Sequence, residues 1–147
     1  MIYIGVDPGK KGGYAFVDDA GARTYPWDDQ RFIEDLRVHA NSAEKCIAAV
    51  EKVGAMPGQG TVSMFSFGQS YGFILGALAA FGIPYQLVPP RKWKAEYGLL
   101  NTTKEDSVKV AKRLFPEVDL LPTPRCRKES DGMAEALLLA LYARRKM

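Results

Sequence analysis

The first fourteen residues leave this chain few ways to begin. Ile2, Ile4 and Val6 alternate with Tyr3, Gly5 and Asp7, which is the side-chain period of a β-strand. Pro8-Gly9 signals a turn, and Gly12-Gly13 precede a second apolar run, Tyr14 to Val17. The stretch therefore predicts a hairpin whose first strand delivers one carboxylate, Asp7, to its C-terminal end. An Asp before Pro-Gly also caps turns by bonding its own backbone. Asp7 alone is compatible with either role, and the positions of the other acids decide between them.

A chain of 147 residues is long enough for one domain with a full core, spanning 1–147. Its 47% hydrophobic and 25% charged content are ordinary for a soluble globular protein. The longest apolar stretch, around Phe73 to Phe81, is too short to span a bilayer, and no signal-peptide pattern opens the chain. No membrane partner is expected. Cys46 and Cys126 have no metal-ligand spacing, and Cys46, in an apolar run, reads as a small core residue. A reducing cytoplasm fits this cysteine usage. Residues 1–88 hold 7 Lys or Arg against 9 Asp or Glu, whereas residues 89–147 hold 13 against 8. The basic C-terminal half suggests a polyanionic partner.

In chain order, Gly21 turns into an edge-like strand over Arg23 to Trp27, and Asp28-Asp29 open an amphipathic helix with a stripe of Phe32, Ile33, Leu36 and Val38. Cys46 to Val50 reads as a buried strand ending in Glu51, and Gly54 to Gly60 as a loop. A long helix is expected from about Ser63 to Phe81, with Gly68, Gly72, Gly76 and Ala80 at steps of four. Such a ridge allows close approach to a sheet or to a partner helix. Ile83 to Val88 is a further strand, stopped by Pro89-Pro90. Thr102 or Thr103 caps a helix to about Phe115, and the last helix runs from about Ser130 to Arg145. The order β-β-β-α-β-α-β-α-α describes an α/β fold with a mixed, partly parallel sheet covered by helices.

Glu51, like Asp7, closes a strand, and open α/β sheets bind ligands at that edge. Asp131 and Glu135 are four apart, so they share one face of the last helix, beside the apolar stripe of Ala134, Leu137, Leu138 and Leu141. Each acid has a plainer reading, as a solvated strand end or a first-turn helix acid. Converging, the four would require a cation. Oxygen ligands without His or Cys point to Mg²⁺ or Mn²⁺ and not to Zn²⁺. Two such ions about 4 Å apart suit in-line phosphodiester hydrolysis.

These residues resemble the RuvC-like Holliday-junction resolvases of the ribonuclease H-like superfamily. The resemblance rests on Gly5-Val-Asp-Pro-Gly9 with Gly12-Gly13, on Val50-Glu51, on Ser66-Phe-Gly68, and on Asp131-Gly-Met-Ala-Glu135 with the apolar run after it. Glu51 followed by Gly58-Gln-Gly60 and Met64-Phe-Ser-Phe-Gly68 looks more like the bacteriophage and chloroplast branch than the bacterial housekeeping enzyme, a resemblance that implies a bacterial or phage-infected cell, with an organelle as the alternative. The resemblance implies a ribonuclease H-like fold with a mixed five-stranded sheet. It further implies two-metal cleavage of four-way DNA junctions, with Asp7, Glu51, Asp131 and Glu135 as catalytic residues and metal ligands. The last two acids are spaced by four where the bacterial enzymes use three, which leaves Glu129 as an alternative fourth ligand.

Candidate nucleic-acid contacts are Arg91, Lys92, Trp93 and Lys94, three cations around an aromatic after a strand, and Arg125, Arg127 and Lys128 before the last helix. Phe65 and Phe67 suit either wedges at a junction centre or packing on the sheet. Paired incisions need two active sites, so a homodimer is expected, with the small-residue helix in its interface. Three rivals remain at this level. One is a related nuclease acting on flaps, replication intermediates or RNA–DNA hybrids. Another is a phosphotransferase of the actin/hexokinase type, which needs two such domains. The third is a non-catalytic junction-binding protein.

Overall fold

The opening hairpin forms as its alternation dictates. In the computed structural model, which describes residues 1–147, the chain runs β1 (Ile2–Asp7), β2 (Gly13–Asp18), β3 (Gly21–Pro26), α1 (Asp29–Ala40), β4 (Cys46–Glu51), α2 (Thr61–Ala80), β5 (Tyr85–Val88), α3 (Pro90–Glu96), α4 (Lys104–Leu114) and α5 (Asp131–Lys146). The five strands form one sheet in the order β3-β2-β1-β4-β5. The β1–β2–β3 meander is antiparallel, and β4 and β5 add to β1 in parallel. The mixed five-stranded sheet expected from the sequence is present.

Alternation sorts each strand between two cores. Ile2, Ile4 and Val6 join Ala48 and Val50 under Phe32 and Leu36 of α1 and Ile74 and Leu78 of α2. Ala49 of β4 faces the other way, into a core made with α5, Trp93 of α3 and Val110 and Ala111 of α4. Gly5, between Ile4 and Val6 on β1, also faces α5, and it carries a specific demand. A Cβ there would collide with the backbone of Ala136 and Ala140, so only glycine lets α5 lie directly on β1.

Several local expectations are corrected. Val38 is 67% exposed, because the buried stripe of α1 is confined to Phe32 and Leu36. Cys46 is half-buried at the start of β4 instead of in the core. The residues after Pro89 form a helix, α3, which the sequence reading omitted; proline at the first helical position stops a strand and starts a helix equally well. Thr103 heads α4 through a reciprocal capping box with Asp106.

Helix α2 departs most from expectation. It has 20 residues, none charged, and by length and composition it passes as a membrane-crossing segment, although no stretch of the sequence alone suggested one. Ile74, Ala77 and Leu78 bury it on the sheet. A Cβ built at Gly68, Gly72 or Gly76 would meet nothing within 4 Å. The small-residue ridge therefore faces away from the sheet, which removes one of its two expected roles.

Candidate active site

Strand register brings the first two acids together. Val6 pairs with Val50 in the parallel β1–β4 ladder, so the next residues, Asp7 and Glu51, end adjacent strands at the same height. Both follow a residue that points to the α1/α2 core, and both therefore point to the α5 side. The third comes from α5, which Gly5 lets settle on β1. A Cβ at Gly132 would likewise strike the backbone of Lys11 and Gly12, so the first turn of α5 packs tightly on the β1–β2 turn. One carboxylate oxygen each from Asp7, Glu51 and Glu135 lies within 4.8 Å of the others. The three acids converge.

Asp131 lines the same cleft, a cavity of about 350 Å³ with no hydrophobic lining residue, but stands outside the tight triad. Its Oδ2 lies 3.7 Å from the Lys104 ammonium, in a half-exposed ion pair. Glu129 turns instead to Lys112 at 3.1 Å. Of the two acids on α5, Glu135 joins the triad and Asp131 takes the rim.

The electrostatics are those of crowded, part-buried anions. Burial pushes the Asp7 carboxyl well above the usual range, the charges of Glu135, Glu51 and Asp131 push it further, and Lys104 opposes them. Burial also raises Glu51, against a hydrogen bond from Trp93 and the charge of Lys94. Glu135 is raised by burial and then by Glu51, with Lys94 and a Ser107 hydrogen bond opposing. A hard divalent cation fits this donor set, since every available ligand atom is a carboxylate oxygen and the anions crowd one another.

The basic candidates separate. Trp93 is corrected: it is wholly buried and presents no face to nucleic acid, while its Nε1–H donates to Glu51 Oε2 at 2.9 Å. Lys94 lines the acidic cleft, and Arg91 and Lys92 are exposed on α3. Arg125, Arg127 and Lys128 are exposed on the loop before α5. Phe65 is 70% exposed, whereas Phe67 is half-buried and stacks near Tyr71, ring centroids 6.4 Å apart. The single histidine, His39, packs on Phe16 at 4.4 Å, away from this side of the sheet. Sequence reasoning missed Lys104 and Ser107. Ser107 left a legible signal, a polar residue in the buried stripe of α4 with Val110 and Ala111.

No protein-family model matches the sequence. The structure, however, superposes along nearly its whole length on Thermus thermophilus RuvC in complex with a Holliday junction substrate. The TM-score is 0.59 with 20% identity, covering 99% of this chain and 96% of that one. The fold is that of RuvC. A second Thermus thermophilus RuvC structure gives a TM-score of 0.56 with 19% identity over the same shares of both chains. In sequence, the chain is similar to the chloroplastic Holliday junction resolvase MOC1 of Chlamydomonas reinhardtii, 35% identical over 95 residues. That match covers 64% of this chain and 10% of the relative, so the chain spans about a tenth of the length of the curated protein that it matches. The resemblance read from the motifs is thus met by the RuvC fold and by a resolvase relative.

Proposed function

We propose that the protein is a metal-dependent, structure-selective endodeoxyribonuclease that resolves four-way DNA junctions by paired phosphodiester hydrolysis. The observation that carries this reading is the convergence of Asp7, Glu51 and Glu135 within 4.8 Å on a RuvC fold. These three, with Asp131 at the rim, would hold Mg²⁺ or Mn²⁺, two ions per site. Bound divalent ions supply an activated water and stabilise the leaving oxygen of an in-line displacement. The chain contributes the rest. Asp7 and Glu51 stand on rigid strand ends and keep the reaction centre fixed. Lys94 and Lys104 bring positive charge to the cleft wall, where a phosphodiester must approach four acids. Arg91 and Lys92 on one helix, and Arg125, Arg127 and Lys128 on a loop, offer exposed charge for the arms of a junction. The setting we propose is the cytoplasm of a bacterial or phage-infected cell, or an organelle like the chloroplast in the name of the Chlamydomonas relative.

The deciding experiment offers the protein a synthetic four-way junction, a flap, a linear duplex and an RNA–DNA hybrid, with Mg²⁺ or with EDTA. Symmetric paired incision of the junction, only with Mg²⁺, is the expected result. Preference for the flap or the hybrid would replace the substrate, and cleavage of nothing would remove the enzyme.

The reading includes a homodimer through α2. Support comes from its uncharged sequence and its outward glycine ridge, flanked by Phe73 at 39% exposure and, nearer its start, Phe65 and Val62 at 70% and 84%. Exposed apolar patches of this kind usually mark an interface. Leu78 is unsuitable for a test because it is fully buried against the sheet. Gly72→Glu places a charge in open space and should leave the monomer folded. Sedimentation analysis is expected to show wild-type dimer and mutant monomer, with paired incision reduced to unpaired nicks.

A further inference from the structure

Two buried donors reach the acidic triad from helices that supply none of its acids. Ser107 is the one polar side chain in the buried interior, at 2% exposure, and its Oγ lies 3.3 Å from Glu135 Oε1. Trp93 heads the fully buried side chains by volume and is the one buried residue of the seven-residue helix α3. Its only side-chain polar atom, Nε1, donates to Glu51 Oε2 at 2.9 Å. A buried indole N–H or hydroxyl without a partner is destabilising, and such groups usually find an acceptor. In both cases the acceptor is a carboxylate of the triad.

We propose that Trp93 and Ser107 are positioning residues that fix Glu51 and Glu135 in the orientation a divalent cation requires. The proposal rests on the metal-dependent reading above. Three carboxylates crowded at the end of a sheet repel one another and would turn apart on their flexible side chains. Each donor engages one oxygen of its glutamate, and the second accepts no hydrogen bond from the protein. Trp93 is anchored by the core around α5, and Ser107 by Val110 and Ala111 on the same helix. The rigidity of the hydrophobic core is thereby passed to two side chains that a cation would otherwise have to order for itself. Asp7, on its short side chain at a strand end, receives no comparable donor.

The test is cation binding without DNA. Purified wild type, Trp93→Phe and Ser107→Ala are titrated with Mn²⁺, the free ion being followed by electron paramagnetic resonance. Thermal melts in EDTA report folding separately. Each variant is expected to bind Mn²⁺ about 10-fold more weakly, in line with losses of outer-shell partners at other metal sites. The Mg²⁺ concentration for half-maximal junction cleavage should rise in parallel, and excess Mg²⁺ should restore the rate. A purely structural role would instead lower the melting temperature and leave the affinity of the folded molecules unchanged. Wild-type affinity in a folded variant overturns the role of that residue, and Ser107→Ala decides alone if Trp93→Phe does not fold. Wild type that binds no Mn²⁺ overturns the metal-dependent reading and this inference together. Wild type that binds Mn²⁺ and cleaves, beside variants of equal affinity, overturns this inference alone.

Discussion

Asp7→Asn is expected to abolish junction cleavage and, in the absence of metal, to make the protein more stable. The loss should be about a thousandfold or more, since a metal site supplies several kcal/mol of transition-state stabilisation and each 1.36 kcal/mol is tenfold in rate. Junction binding in EDTA should survive, because the exposed cations are untouched. The gain in stability follows from the crowding. Burial and three neighbouring acids hold the folded Asp7 carboxyl well above its ordinary range. With the folded value raised, the native state keeps protons that the unfolded chain has released. Stability is then full below the unfolded carboxylate range, roughly pH 4, and is lost as pH rises through the elevated folded values. Glu51 and Glu135 are raised as well and act with the same sign. Asp18, Glu105 and Asp106 are lowered and act oppositely, so the informative quantity is the difference between wild type and Asp7→Asn. Thermal melts in EDTA from pH 4 to pH 8 should diverge in favour of the variant as pH rises, and Mg²⁺ should stabilise only the wild type. Equal cleavage rates for the two proteins would remove Asp7 from the site.

Gly5→Ala should be among the most damaging single substitutions in the chain, although it adds one methyl group. That methyl would enter the backbone of α5 at Ala136 and Ala140, where no side chain can rotate away. Overpacking commonly costs 1–3 kcal/mol, and a backbone obstacle puts this case at about 3 kcal/mol or above. Gly132→Ala carries a clearer sign. In an ordinary helix it would stabilise by about 1 kcal/mol. Here the added Cβ meets Lys11 and Gly12, so urea unfolding should show a loss. Any Gly5→Ala protein that remains folded should cleave poorly, because Glu135 rides on the displaced helix. A midpoint unchanged in either variant would mean that α5 does not lie this close to the sheet.

What was legible in the sequence, and what was not, divides on the range of the forces involved. The hairpin, the α1 and α4 caps and the mixed sheet follow from local alternation and turn chemistry, and they were readable. So was the convergence of Asp7, Glu51 and Glu135, because strand ends and helix faces carry direction. Asp131 and Glu135 were not separable, since the choice depends on how far α5 slides along β1. That slide is set by Gly5 and Gly132, whose role is to be absent at a contact. Trp93 looked like an exposed aromatic among cations because periodicity is uninformative in a helix of seven residues. The direction of the α2 ridge was also illegible, as small residues suit a sheet and a partner equally.

The shared height of Asp7 and Glu51 restricts how such a chain can change its length. A strand advances in clicks of two, because each residue turns its side chain to the opposite face. One residue inserted within β4 would rotate Glu51 into the apolar layer with Ile4 and Val6, and one deleted would do the same. Two inserted would restore the face but carry the carboxylate about 7 Å along the strand, past its neighbour. Neither strand can therefore grow or shrink while the pair survives. The connectors obey no such ratchet, and the segments 52–60 and 115–130 can gain or lose residues without disturbing the pairing of β1 with β4. Length variation among chains built on this plan should collect there.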